Sequence, residues 1–199
     1  LKSQPVSAVE LHDRRSLRSV QEKPGMPAFV QQLSANACAL LIESRAASQT
    51  LLHEQLAQIM ASLVDFPVEK QVDFTEDPKE NAKLWAIRKD TFPAVGAVRK
   101  TGTTVIIEDV TFPVEQLAIG VNRLIELFDK HHYDEAILFG HALEGNLHFV
   151  FTQGFNNPEE VARYQAFMDD VAQLVAVEFG GSLKAEHGTG RNMAPFVEL

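Results

Sequence analysis

The chain has 199 residues, of which 45% are hydrophobic and 23% are charged, and its formal net charge at neutral pH is −9. This length and composition allow the core of one globular domain, or of about one and a half. The acidic balance argues against binding to nucleic acid or to an anionic membrane, because such binding needs clustered Lys and Arg side chains. Sequence hydropathy predicts no transmembrane segment.

The only cysteine, Cys38, lies in the apolar run ACALLIE and is predicted to pack as a small hydrophobic side chain. One cysteine allows no disulfide within the chain, which suits a reducing compartment. The expected location is the cytoplasm, with peripheral association with the inner membrane left open. Because the chain starts at Leu1 rather than Met and stops soon after a motif, we expect it to be a piece of a longer polypeptide.

Residues 1–35 carry no recognisable motif and are predicted to be a helical or linker segment. Within them, residues 7–21 are typical of a polar helix capped by Ser7, which the PGMP turn ends. Residues 36–199 are predicted to form the second domain. Its first element is a buried strand over residues 36–45.

Beyond that strand, the apolar spacing alternates between helical and strand periods. The predicted elements are a helix at 49–66, a strand at 67–74, a helix at 78–99 interrupted at Pro93, a strand at 103–110, a helix at 113–130, a hairpin within 135–151, a helix at 158–179 and a last strand at 182–186. This order predicts an α+β sandwich, with helices on one face of a mainly antiparallel sheet.

The hairpin sequence EAILFGHALEGNLHFVF has two apolar runs around Glu144-Gly145, a pair typical of two-residue hairpin loops. In that register His141 lies directly opposite His148, and opposed Cβ atoms are about 4.5–5.5 Å apart. Both imidazoles can then hold one ion. The later run KAEHGTGR offers a third ligand, and because adjacent residues of an extended segment point to opposite faces, only one of Glu186 and His187 can easily join.

We assign Glu186 to the metal and His187 to acid–base chemistry. Two histidines and one glutamate with an open coordination position suit a catalytic Zn²⁺, although Mn²⁺ and Fe²⁺ accept the same ligands. The alternative is a solvated pair of His141 and His148 beside an ordinary surface carboxylate. The residues alone leave these two interpretations about even.

Four sequence blocks carry a family resemblance: WAIRKD, EDVTFP, GHALEGNLH and AEHGTG, in this order between residues 85 and 190. They resemble the C-terminal half of FAD-linked oxidases of the p-cresol methylhydroxylase type, which include D-lactate dehydrogenase, the glycolate oxidase flavin subunit and D-2-hydroxyglutarate dehydrogenase. The resemblance implies a ferredoxin-like cap domain. It also implies that FAD is bound mainly by another domain of the same polypeptide, absent from this chain, so that the chain alone is inactive.

The resemblance further implies oxidation of a D-2-hydroxy acid to the 2-oxo acid, with hydride transfer to FAD. Arg88 would hold the substrate carboxylate, the metal would bind the substrate hydroxyl, and His187 would accept its proton. Asn146 is either a turn residue or a side chain directed at flavin or substrate. The electrons would pass to a quinone, an electron-transfer flavoprotein or an iron–sulfur region.

Two departures from some relatives concern substrate recognition. Val150 and Ile107 stand where the hydroxyglutarate type has Asn and Lys, and a charge from Lys89, Arg99 or Lys100 is a possible replacement. Without the resemblance, Arg88 is a helix-surface residue paired with an acidic neighbour, Asp90 or Glu80. The alternative functions are a stand-alone metal-binding or ligand-sensing ferredoxin-like module, and a metallohydrolase that uses the same ligands.

Overall fold

The computed structural model describes residues 1–188 and 190–199, apart from the side chain of Phe92. The chain divides into two compact units, Leu1–Thr91 and Phe92–Leu199. Both contain strands and helices, and within each unit neighbouring strands pair antiparallel. The predicted α+β class is confirmed. The predicted domain boundary at residue 35 stays a prediction.

The first unit contains one antiparallel strand pair and several helices. Its elements are β1 (Ala8–His12), α1 (Arg14–Val20), α2 (Phe29–Gln32), β2 (Ala39–Glu43), α3 (Gln49–Leu63) and most of α4 (Pro78–Ala97). The register of β1 and β2 runs from Ala8 opposite Glu43 to His12 opposite Ala39. Asp13 caps α1 by accepting a 2.7 Å hydrogen bond from the Ser16 amide.

Several predictions for this unit are wrong. The helix over residues 7–21 is a strand in its first part, because residues 8–12 pair with β2, and its cap is Asp13 rather than Ser7. Residues 67–74 form no strand and are mostly exposed. The strand at residues 36–45 is confirmed as β2 but is only half-buried, and Cys38, which precedes it, is exposed.

The helix predicted at residues 49–66 is confirmed as α3, with Ser48 as its cap. The helix predicted at residues 78–99 is confirmed as α4, but it continues through Pro93 without interruption. A proline within a helix removes one backbone hydrogen bond, yet the residues on both sides of Pro93 are helical. Among the described residues, no helix is both long enough and apolar enough to cross a membrane.

The second unit is built on a three-stranded sheet. Its elements are β3 (Thr103–Thr111), a 3₁₀ turn (Val114–Gln116), α5 (Leu117–Lys130), β4 (Ile137–His141), β5 (Asn146–Gly154), α6 (Pro158–Ala172), a π-helical continuation (Gln173–Glu178), α7 (Gly190–Met193) and a 3₁₀ turn (Ala194–Phe196). Within this unit β5 is central, between β4 and β3. The elements predicted at 103–110, 113–130 and 158–179 are confirmed.

The helices α5 and α6 cover one face of this sheet with aromatic side chains. Phe149 and Phe151 of β5 are fully buried against Phe167 of α6, with ring centroids 6.2 and 5.1 Å away. Phe128 of α5 contacts Phe149 at 6.1 Å. Because successive strand residues face opposite sides, His148 and Val150 lie on the other face of β5, where the candidate site is found.

Candidate active site

The hairpin of β4 and β5 carries the two histidines in a different register from the predicted one. His141 pairs with Asn146, and Phe139 pairs with His148. The loop is therefore residues 142–145, and the predicted direct opposition of His141 and His148 is wrong by two residues. A shift of two residues preserves the face of a strand. Both imidazoles consequently still share one face, with ring centroids 5.4 Å apart.

A contact with the end of β3 explains the longer loop. Gly145 has a positive φ of +70°, and a Cβ atom there would meet the carbonyl oxygen of Phe112. The Phe112 amide in turn donates a 3.0 Å hydrogen bond to the Gly145 carbonyl. Glycine tolerates both the left-handed conformation and the close approach. The start of β5 is thereby held against the chain that leaves β3.

The structure brings together the three predicted metal ligands. His141 Nε2 lies 2.9 Å from one carboxylate oxygen of Glu186, and His148 Nε2 lies 3.7 Å from the other. One ligand atom from each residue lies within 4.8 Å of those of the other two. The His148 side chain is buried, whereas that of Glu186 is half-exposed. Two imidazole nitrogens and a carboxylate form the donor set of many catalytic zinc sites, so these residues fit a small divalent cation.

Glu186 and His187 reach the cluster from an irregular loop, not from the strand predicted at residues 182–186. Ser182 makes an isolated bridge with Thr111. The Glu186 and His187 amides both donate to one oxygen of Asp109, at 2.6 and 2.9 Å. Two consecutive amides that converge on one atom require a turn, because in an extended chain they point in opposite directions.

Of this pair, only Glu186 forms a group of possible metal ligands with both His141 and His148, and His187 lies beside that group rather than pointing away from it. The His187 ring stacks on the ring of His148, with centroids 5.0 Å apart and planes inclined by 23°. Glu186 contacts the same histidine through its carboxylate. His148 is thus the side chain that both loop residues share.

Asp109 is the site residue that the sequence reasoning missed, although it lies in the EDVTFP block. It pairs with His148 in the β3–β5 register, its side chain is fully buried, and its second oxygen lies 3.8 Å from His187 Nδ1. Asp109, His148 and His187 also form a second group with ligand atoms within 4.8 Å of one another. A carboxylate inside a predicted buried strand needs a polar partner. This requirement is the feature of the sequence that could have identified Asp109 as a site residue.

Asn146 lies at the same end of the sheet, beside His141. It is 5% exposed, and its side-chain oxygen has no hydrogen-bond partner among the residues that the structure describes. A buried amide oxygen without a partner carries a free-energy cost. This position therefore offers an acceptor to a bound molecule.

Arg88 belongs to the first unit, where its Nε donates a 2.6 Å hydrogen bond to Glu10. Its predicted alternative partners are bound elsewhere, Asp90 by Lys23 and Glu80 by Lys83. Both side chains of the Arg88–Glu10 pair are largely buried. The guanidinium is therefore paired with a buried carboxylate of its own unit rather than lying on an open helix surface.

Val150 and Ile107, the two departures from some relatives, lie opposite each other in the β3–β5 register. They pack in one apolar cluster with Val95, Ile137 and Phe139. This part of the face, next to His148, is thus apolar, and it supplies no side-chain hydrogen bond to a substrate.

The chain belongs to the family described as FAD linked oxidases, C-terminal domain, whose model matches residues 1–199. The predicted family resemblance is therefore confirmed. The description of the family names FAD as the cofactor to which its members are linked.

Individual relatives agree with this assignment. The chain is 35% identical over 118 residues to the glycolate oxidase subunit GlcD of Bacillus subtilis, a match that covers 59% of this chain and 24% of the relative. It is 33% identical over 120 residues to GlcD of Escherichia coli, covering 60% and 23%. It is 29% identical over 109 residues to the D-2-hydroxyglutarate dehydrogenase of Haemophilus influenzae, covering 54% and 10%. The matched region is thus about a quarter or less of these relatives.

Proposed function

We propose that this chain is the substrate-side domain of a flavin-dependent dehydrogenase or oxidase that converts a D-2-hydroxy acid to the 2-oxo acid. The observation that carries the proposal is the convergence of His141, His148 and Glu186 on one face of the sheet, with His187 stacked on His148. The relatives named for glycolate and D-2-hydroxyglutarate support the substrate class. FAD, held mainly by another domain of the same polypeptide, would supply the hydride acceptor.

His141, His148 and Glu186 would hold a divalent metal, with zinc as the first choice. Such an ion lowers the pKa of a hydroxyl group bound to it. Glu186 is suited to this role because its two oxygens face different histidines, at 2.9 and 3.7 Å. The cation would replace direct contacts between the carboxylate and the imidazoles.

His187 would accept the proton of the substrate hydroxyl. Its side chain is 38% exposed, so that a ligand can reach it, and its Nδ1 faces the buried carboxylate of Asp109 at 3.8 Å. A neutral imidazole carries a proton on one ring nitrogen and leaves the other nitrogen as a base. The unpartnered amide oxygen of Asn146 would orient a hydroxyl or flavin group at the same face.

Arg88 would bind the substrate carboxylate. A guanidinium carries five N–H donors in a plane and can hold a carboxylate with two parallel hydrogen bonds. Glu10 accepts from Nε, and this contact would fix the plane in which the other donors lie. The electrons would leave the flavin for a quinone, an electron-transfer flavoprotein or an iron–sulfur region, and the protein would act in the cytoplasm or peripherally at the inner membrane.

Zinc binding by the purified chain, measured by elemental analysis and by titration calorimetry, tests the metal assignment. We expect near-stoichiometric zinc in the wild-type chain and its loss in His141→Ala and His148→Ala. The matched control is His187→Ala, which removes an imidazole from the same cluster but should keep the metal.

Two outcomes would contradict this assignment. A wild-type chain that takes up no zinc, even when zinc is added, would show that His141, His148 and Glu186 do not bind zinc in this chain. If His187→Ala loses zinc while His141→Ala retains it, the ion belongs to the second group, Asp109, His148 and His187.

The redox part of the proposal is tested on the polypeptide that joins this chain to its flavin-binding domain. Anaerobic bleaching of the flavin absorbance by D-2-hydroxy acids, and not by their L-enantiomers, is the expected result. His187→Ala should slow bleaching while zinc content stays unchanged. Equal bleaching by both enantiomers would contradict the substrate class.

A further inference from the structure

Asp109 links the sheet to the loop that carries two of the proposed functional residues. The segment 184–188 is here called the Glu186 loop. It is connected to β3 by two hydrogen bonds from the Glu186 and His187 amides to one oxygen of Asp109. Glu186 and His187 are 77 and 78 positions away from Asp109 in the sequence, so the bonds fix a long-range contact.

The two bonds decide where the loop side chains point. Because consecutive amides are directed at the same oxygen, the backbone between them turns, and the two side chains leave on the same side of the loop. Glu186 then faces His141 and His148, and His187 stacks on His148. In an extended segment one of the two would point away.

The chemistry of Asp109 suits this task. Its side chain is fully buried in β3, and the position of β3 is set by its pairing with β5, which carries His148. Hydrogen bonds from amides to an ionised carboxylate are roughly twice as strong as those between neutral groups. A single buried oxygen on a rigid strand can therefore hold a loop that has little regular structure of its own.

We propose that Asp109 is a positioning residue, which turns the Glu186 loop so that Glu186 and His187 both face His148. This inference rests on the proposed function for the roles of Glu186 and His187. The positioning itself is a statement about backbone contacts and can be tested without flavin or substrate.

Glu108 provides the matched control. It precedes Asp109 in β3, is also buried, and faces the opposite side of the sheet. There it accepts a hydrogen bond from Asn192, whose side-chain oxygen accepts one from Tyr164. Burial raises the pKa of Glu108, and the hydrogen bond from Asn192 opposes that shift. Truncation of Glu108 thus removes a buried carboxylate from the same strand and leaves the two hydrogen bonds between Asp109 and the Glu186 loop in place.

The experiment combines amide hydrogen exchange, resolved by NMR, with zinc titration of the chain. In Asp109→Ala the Glu186 and His187 amides should exchange about tenfold faster or more, as expected for a lost buried hydrogen bond. Zinc affinity should fall about 10- to 100-fold, the usual effect of removing a group that orients metal ligands. In Glu108→Ala both quantities should change by no more than about twofold.

Asp109→Asn supplies a rescue, because its amide oxygen can take the place of the oxygen that accepts both bonds. Its exchange rates and zinc affinity should lie closer to those of the wild type than to those of Asp109→Ala. Equal effects of Asp109→Ala and Glu108→Ala would overturn the proposal. So would unprotected Glu186 and His187 amides in the wild-type chain, a measurement that does not depend on whether the Asp109→Ala variant folds.

These outcomes separate the inference from the proposed function. A wild-type chain that binds no zinc contradicts the metal assignment, while protection of the two amides by Asp109 would still support the positioning role. Conversely, zinc binding that survives Asp109→Ala unchanged overturns the positioning role and leaves the metal assignment intact.

Discussion

The two faces of the sheet in the second unit are made by the same strands, and around residues 148 and 149 they bury different kinds of side chain. On one face, Phe149 and Phe151 are fully buried against the aromatic side chains of α5 and α6. On the other, His148 and Asp109 are as deeply buried but interact with Glu186 and His187. A period of two along β5 is enough to separate an aromatic core from a polar site.

This difference implies that adjacent residues of β5 contribute to different properties, one to stability and the next to the geometry of the site. The aromatic face gains its free energy from apolar burial, which is not directional. The polar face depends on a few groups at set distances, and burial there is costly unless each group is satisfied. Substitutions on the two faces should therefore change different measurable quantities.

The largest effect on stability is expected for Phe149→Ala. Removal of this ring should lower the free energy of unfolding by about 3–5 kcal/mol, because a fully buried phenylalanine leaves a cavity. Its contacts with Phe128 and Phe167 are lost at the same time. The shift in the urea midpoint measures the loss.

The neighbouring variant His148→Ala is the control for the division between the faces. Phe149→Ala should retain the zinc affinity of the wild type in the fraction that remains folded, whereas His148→Ala should lose zinc. If Phe149→Ala leaves the urea midpoint unchanged, or if it abolishes zinc binding in the folded protein, the two faces are not independent.

A smaller effect on the free energy of unfolding is expected when the pH is lowered, because the first unit contains a buried histidine. His12 is 3% exposed and lies outside the two ligand groups found among the residues that the structure describes. Burial and, to a smaller extent, the charge of Arg88 lower the pKa of His12 from 6.5 to about 4, and Glu10 opposes the shift. His12 thus shows what a histidine does when it is buried without a proposed ligand role.

Between pH 6.5 and about 4, the unfolded chain holds a proton on His12 that the folded protein does not. The stability associated with neutral His12 is therefore complete above pH 6.5 and is lost as the pH falls towards 4. The loss is on the order of 3 kcal/mol. Urea unfolding at several pH values measures it.

The control for this prediction is the variant His12→Asn. Both proteins are measured with a chelator, so that bound metal does not contribute to the free energy of unfolding. Other groups titrate in both proteins, so only the difference in unfolding free energy between wild type and variant reports on His12. The wild type should lose stability relative to His12→Asn steadily as the pH falls from 6.5 to 4. A difference independent of pH would show that His12 has an ordinary pKa.

The comparison of faces also explains which site features the sequence could predict. His141 and His148 were placed on one face even though the predicted register was wrong by two residues, since an even shift leaves the face unchanged. Strands β3 and β5 and helices α3, α5 and α6 follow from local apolar periodicity. The choice of Glu186 and His187 rested on adjacent residues and on the family resemblance.

The remaining features depend on contacts between distant residues. The Glu186 loop is irregular because its amides bind Asp109, 77 positions earlier. The loop of the hairpin is long because Gly145 is held against Phe112. The local pattern of residues 8–12 predicts a helix. The segment is a strand because it pairs with β2, and this pairing overrides the local preference. None of these partners can be identified from the periodicity of one segment.

A smaller effect on stability than those of Phe149 and His12 is expected at Gly140 of β4, which lies opposite Leu147 of β5. It lies between Phe139 and His141, and a Cβ atom there would lie 2.8 Å from the Leu147 Cα and would also meet the Asn146 carbonyl oxygen. Main-chain atoms of a paired strand cannot move aside without altering the pairing. Gly140→Ala should therefore cost about 1–3 kcal/mol, as other overpacking substitutions do.

Gly154→Ala, at the far end of β5, is the matched control. A Cβ atom there meets the carboxylate of Glu160, the end of a flexible side chain, so the cost should be smaller than at Gly140. Because Gly140→Ala forces β4 away from β5, it should also weaken zinc binding through His141 and His148, and Gly154→Ala should not. If Gly140→Ala lowers stability but leaves zinc affinity intact, the hairpin adjusts without moving the histidines, and the packing of one face does not set the geometry of the other.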